Sequence, residues 1–170
     1  MLFNFHGFKY LILLYVILMG IYSCDHGLKP TEVYQDQKAG ISGTIFYTNW
    51  PAADSLYDLR LVVFKLYPPE NILEELSAGR AFVYPVIGED NLPYNVDSTF
   101  FIMELDPGYY EYVAVAQQYG PSLFTDWFAA GQYDTLFSDD LPTAITVSEG
   151  ELLEDIDITV DFDDLPPQPF

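Results

Sequence analysis

The residues best equipped for chemistry in this chain are carboxylates, and they crowd toward its end. In DIDITVDFDD (155–164) an aspartate stands at nearly every second position. Such a run has two chemical readings. Calcium takes several oxygen ligands from carboxylates and carbonyls, and an EF-hand loop would accept Asp155, Asp157 and Asp161. Its sixth position needs glycine, and Val160 stands there. Paired carboxylates also serve glycoside hydrolysis, but acidic residues are numerous enough here that some pair will always lie at a workable distance. The alternation itself favours a strand. Ile156, Ile158, Val160 and Phe162 fall on one face, with Asp155, Asp157, Thr159, Asp161 and Asp163 on the other.

Other chemistry fails on inventory. The two histidines are His6 and His26, and the single cysteine is Cys24. All lie ahead of the folded body, so a Ser-His-Asp or Cys-His arrangement and a Cys/His zinc site lack their residues. No glycine-rich phosphate loop is present. The chain therefore reads as no enzyme, with a carboxylate-dependent hydrolase as the second alternative. Weak calcium candidates remain in two acidic loops, at Glu89 and Asp90 and at Asp139 and Asp140, with no other cofactor indicated. The ligand-binding candidates are aromatic: Trp50, Tyr119, Trp127 and Tyr133 lie in irregular segments. Exposed rings there would stack on sugars or anchor a protein partner. Phe124 and Phe128 are expected to turn inward.

Charge narrows the partners. Acidic residues number 26 against 6 basic ones, for a net charge of −20. The last basic residue is Arg80. A nucleic acid would be repelled rather than gain counterion release. Half of the chain is hydrophobic and 17% aromatic, so 170 residues supply one well-filled core.

The N-terminus reads as an address. One basic residue, Lys9, precedes an apolar run over 10–21. That run is short for a membrane span and suits the apolar region of a secretory signal. Ile21-Tyr22-Ser23-Cys24 follows, and it resembles the lipobox of bacterial lipoproteins, in which a small residue precedes a cysteine that becomes lipidated. The resemblance implies a signal peptide over 1–23 and lipidation of Cys24. Residues 24–39 then form a tether, and the protein is an exported lipoprotein, assigned to the outer membrane.

The elements that must position the aromatic residues begin at Gly40. Short apolar runs bounded by turn residues predict strands over 41–47, 59–66, 80–87, 98–105, 109–118, 143–149 and 153–162. A short strand is expected near 131–135. The run at 59–66 is apolar on both faces and reads as central; that at 80–87 contains Pro85 and reads as near an edge. The core of 68–79 predicts one short helix after two prolines. Asp106-Pro107-Gly108 predicts a hairpin turn between the flanking strands. The sum is an all-β, antiparallel two-sheet sandwich of about seven strands over 40–164, prealbumin- or Ig-like, with an extended proline-rich tail over 165–170.

The order of these signals resembles the carboxypeptidase-regulatory-like, or prealbumin-like, β-sandwich domains of bacterial envelope proteins. Ile41, Gly43 and Ile45 match their opening I-x-G-x-V strand. Asp97, Phe100, Leu105, Pro107, Gly108 and Tyr110 match in order, as do Ile145, Val147 and Gly150 ahead of the closing strand. Ser98 replaces the usual glycine, and the segment 68–92 is longer than the family's connection. The chain also resembles small lipoproteins of Bacteroidota-type bacteria. Such domains are mostly non-catalytic, so the resemblance implies a binding or structural role in the envelope with an unknown protein or a glycan as partner. A glycan-binding accessory lipoprotein using the loop aromatics is the first alternative.

Overall fold

The computed structural model describes residues 38–136 and 141–169. Among the described residues it is all-β with a single short α-helix. The strands are β1 (Gly40–Thr48), β2 (Asp58–Phe64), β3 (Ala81–Tyr84), β4 (Ser98–Glu104) and β5 (Gly108–Tyr110). They continue with β6 (Tyr112–Gln118), β7 (Trp127–Gln132), β8 (Ile145–Val147), β9 (Leu152–Leu153) and β10 (Ile158–Asp161). Helix α1 spans Ile72–Ser77. The Asn71 side chain caps it by accepting from Leu73 and Glu74 N–H at 2.9 and 3.3 Å.

Hydrogen bonding runs β3-β2-β6-β7-β10-β1-β4, with β9 beside β1 and a separate β5-β8 pair. Only two residue pairs join β7 to β10. The path is thus two layers, one around β2 and β6 and one around β1, folded onto each other. Alternate residues fill the space between: Ile41 and Ile45 from β1, Leu59, Leu61 and Val63 from β2, Phe101 and Met103 from β4, and Val113 and Val115 from β6. Strand β2 is interior, between β3 and β6, as a run apolar on both faces predicts. Its other face is also covered, because Val62 and Phe64 pack with Tyr112, Ala114 and Ile72 into a second, smaller cluster beneath α1. Strand β3 is an edge and stops just before Pro85.

Three expectations need correction. The pairing is not wholly antiparallel, since β10 and β9 both run parallel to β1. Nor does Asp106-Pro107-Gly108 close a hairpin. Strand β4 pairs with β1, β5 with β8, and β6 with β2 and β7. The turn is a corner between layers. Fully buried Tyr110 drives it: its hydroxyl donates to Asp106 O at 2.7 Å, and its ring meets Phe82 edge-on. Finally, β7 starts at Trp127, ahead of the expected strand near 131. Its small Ala129, Ala130 and Gly131 carry a poor strand propensity, but a side chain at Gly131 would press on Thr159 O and Val160 of β10.

The closing acidic stretch keeps its predicted faces but not its continuity. Ile156, Ile158 and Val160 are buried. Ile41 lies opposite Leu153 and Ile45 opposite Ile158, so four residues advance on β1 while five pass on the segment from β9 to β10. The extra residue is absorbed around Asp155, whose φ is +62°. At this bulge the Asp157 carboxylate accepts the Thr44 N–H at 2.8 Å, replacing a ladder carbonyl. The bulge also pushes Ile156 against Gly43, where any Cβ would overlap the Ile156 backbone. Gly43→Ala is therefore expected to destabilise the fold by about 2 kcal/mol or more, because the obstruction is backbone and cannot rotate away. Urea unfolding of the variant measures this, and an unchanged midpoint would refute the close approach.

Candidate functional site

The outer surface of β2 and β6 carries the most site-like concavity. Helix α1 lies over it on one side and the 119–127 loop on the other. Between them is a cavity of about 160 Å³, lined by Val62, Ile72, Leu76, Val83, Leu123 and Trp127, with the Arg60 stem at its floor and Phe124 and Ile87 at its rim. A second hollow of about 260 Å³ adjoins it and adds Glu70, Asn71, Tyr119 and Thr125. The cavity is the size of one bulky apolar side chain, well below the range typical of drug-sized ligands.

Each border has a local cause. Asp126 staples the loop: its backbone N–H reaches Ser122 O, its carboxylate accepts the Ser122 N–H at 2.9 Å and the Thr125 hydroxyl at 2.8 Å, and its carbonyl accepts the Tyr119 N–H. The Trp127 indole donates to Leu123 O at 3.0 Å, which fixes the ring as one side of the cavity. Tyr119 stacks on Phe128 at 5.5 Å. Phe124 contradicts its expected inward turn, for it is 73% exposed. The stapled loop is too tight to fold that ring back over the sheet.

Arg60 was not singled out from the sequence, although a lone arginine inside an apolar strand is a signal. It is buried, and its guanidinium is saturated. Nε donates to Asp58 Oδ1 at 2.7 Å. Nη1 donates to Pro85 O and Val86 O, and Nη2 to Glu89 O and Asn91 Oδ1. These bonds hold the 85–91 loop, and with it Ile87, against the cavity. They also bear on the calcium candidates Glu89 and Asp90. Carbonyls that a cation would need already face a guanidinium, with Asp90 O at 3.4 Å from Nη1. Among the described residues no group of three or more carboxylate, histidine or cysteine side chains is placed to share a metal ion. Asp139, Asp140 and Cys24 lie outside the described residues.

The four candidate aromatics do not form one surface. Tyr119 and Trp127 meet at the adjoining hollow. Trp50 sits elsewhere, half-buried between Tyr47 and Phe162 with ring centres 4.8 Å away on each side, and its indole donates to Val96 O. Tyr133 packs against the main core, and burial raises its pKa.

A wider acidic groove of about 770 Å³ runs along β7 and β10 under the proline-rich tail, lined by Asp134, Asp157, Asp161 and Asp164. Three of these carboxylates already hold backbone: Asp134 accepts from Leu136 N–H, Asp157 from Thr44, and Asp161 from Asp163. Bonds from Asn49 and from that backbone hold the Asp161 carboxyl below its ordinary value, the wrong direction for a general acid. The tail forms one bank of the groove because the Gln168 amide bonds both the N–H and the carbonyl of Ala129, at 2.8 and 3.0 Å.

Comparison with known proteins adds no identity: no family model matches the chain, and neither does any curated protein or solved structure.

Helix α1, the cavity's upper border, is tied down by a forked ion pair. Arg80 Nε and Nη2 donate to the two Glu75 oxygens at 2.7 and 2.9 Å. These bonds lower the Glu75 pKa. A carboxyl whose folded pKa is depressed contributes stability above its unfolded value, about 4.3, and loses it as pH falls through the folded value. Arg80→Gln should therefore lower the urea midpoint near pH 7, by a modest amount because Arg80 is partly exposed and screened. The gap from wild type should shrink toward about pH 3 as Glu75 takes up a proton. Paired urea titrations at the two pH values check this, and an equal gap at both would refute it.

Proposed function

We propose that this protein is an exported, lipid-anchored, non-catalytic binding module of a Gram-negative cell envelope, which takes an apolar group of an envelope partner into the cavity between α1 and the 119–127 loop. The observation that carries the reading is that cavity: apolar side chains line it, and Phe124, largely exposed, stands at its mouth. A buried apolar side chain contributes about 1.5–3 kcal/mol on leaving water, and anchors of this kind dominate the energetics of interfaces. The Ile41-x-Gly43-x-Ile45 strand and the Asp-Pro-Gly corner support a carboxypeptidase-regulatory-like module. The apolar run before Cys24, the sole cysteine, supports anchoring through lipid on that residue and placement in the outer membrane.

The cavity is tested with toluene, an apolar probe the size of one side chain, by saturation-transfer NMR. Transfer to toluene should be seen with the wild type. Phe124→Asp should weaken toluene binding about tenfold without loss of folded circular dichroism, whereas Phe100→Asp, on the other layer, should leave most of it. Equal binding by wild type and Phe124→Asp would remove the cavity as the site. The anchor is tested by metabolic labelling with a fatty acid: label should appear on the wild type and be lost from Cys24→Ala. Label retained in that variant would refute lipidation at Cys24.

A further inference from the structure

Strand β4 ends the sheet, and among the described residues no strand pairs with its far side. Its register with β1 fixes which peptide groups face outward. Tyr47 N–H bonds Asp97 O and Leu105 N–H bonds Ala39 O. Odd-numbered residues of the strand therefore exchange bonds with β1, and the N–H and C=O of Ser98, Phe100, Ile102 and Glu104 point away from it. Natural edges are usually blunted by shortness, proline, bulges or charge. The opposite edge, β3, has four residues and stops at Pro85. Strand β4 has seven, with no proline and an unbroken register. Its outward side chains Phe100 and Ile102 are 65% and 52% exposed, beside exposed Phe46 on β1.

We infer that this edge pairs with the β4 edge of a second copy of the chain, antiparallel and about a two-fold axis at Phe101. Two features single out a second copy. The outward residues are self-complementary: a two-fold at Phe101 sets Phe100 opposite Ile102 of the other copy and Ser98 opposite Glu104. Apolar meets apolar, and a hydroxyl donor meets a carboxylate. The same operator repeats every contact, as an isologous interface requires. Electrostatics supplies the second feature. Two bodies of net charge −20 repel over most of their surfaces. The β4 edge carries one charge, Glu104, and Lys38 neutralises it at 2.8 Å. It is a lane along which two acidic molecules can meet without opposing like charges. A single strand pair buries little area, so the dimer is reversible.

The test is sedimentation equilibrium of the full chain in density-matched, non-ionic detergent. The expected result is a monomer–dimer equilibrium that tightens as salt rises from about 0.05 to 0.5 M, because screening relieves repulsion between the bodies. Phe100→Asp should weaken it about tenfold per copy, hence about a hundredfold in the symmetric dimer. Ile102→Pro removes one outward N–H, leaves the bonds made by Phe101 and Met103 to β1 in place, and should also weaken it at least several-fold. Phe124→Asp, on the other layer, should have no effect, so failure here is separable from failure of the cavity reading. Circular dichroism checks folding. Phe100 is exposed enough for Phe100→Asp to decide the matter alone if Ile102→Pro proves unstable. A single monomeric species, a dimer that survives Phe100→Asp, or one that loosens with salt would each overturn the pairing.

Discussion

Burying the Arg60 guanidinium on the outer face of β2 obliges the surrounding chain to supply oxygen on every side. A guanidinium presents five N–H donors and does not deprotonate, so leaving water with any of them unmet is strongly unfavourable. The chain meets the demand with Asp58 from the same strand and with four backbone carbonyls and one amide oxygen from the 85–91 loop. The loop is consequently drawn back over the sheet, and Leu92 at its end is seated in the core, its N–H on Leu59 O. The cavity inherits this arrangement. Its floor is the arginine stem, and Ile87 at its rim belongs to the loop the arginine gathers. A hydrophobic residue at position 60 would pack on the sheet but would give the loop no reason to return.

A second constraint acts at the other layer, where two strands run parallel to β1 out of register by one residue. The bulge that absorbs the extra residue needs three compensations, and the sequence contains all of them. Asp155 tolerates a positive φ, as Asp and Asn do more readily than other side chains. Asp157 replaces a missing ladder acceptor for Thr44. Gly43 leaves room for the displaced backbone of Ile156. The carboxylates that looked like a metal motif are thus divided between water and specific backbone donors. Their alternation reflects a strand, and their exact placement reflects its interruption.

What was legible in the sequence follows from local physics. Periodicity showed the strands and their buried faces, the residues after Pro68 and Pro69 showed the helix, and Pro85 showed an edge. What was illegible depended on contacts between distant residues. Asp-Pro-Gly has the chemistry of a tight turn whether it closes a hairpin or turns a corner, and only the burial of Tyr110 decides between them. The Ala-Ala-Gly of β7 lacks strand propensity, and its need for small residues becomes visible only with β10 alongside. Phe124 is an apolar residue in a long loop, which ordinarily argues for burial. The bonds that Asp126 makes across four residues turn it outward instead. In the site, the aromatic content of 119–127 was evident, whereas the part played by Arg60 required knowing that the 85–91 loop comes back to meet it.

Charge connects the two surfaces. Among the described residues the basic side chains are all engaged within the fold: Lys38 with Glu104, Arg60 with Asp58 and its loop, Arg80 with Glu75, and Lys65 over the Phe82 ring at 5.5 Å. Three of the four are held in ion pairs, so little positive charge remains to offset the acidic surface, and the net field a partner meets is negative. Such a field does not select a partner by itself, but it sets where contact is cheap. The apolar cavity and the neutral β4 edge are two places where little carboxylate solvation must be lost on contact. They lie on different layers of the molecule. Occupation of one therefore leaves the other free, and a copy paired along β4 would still present its cavity outward.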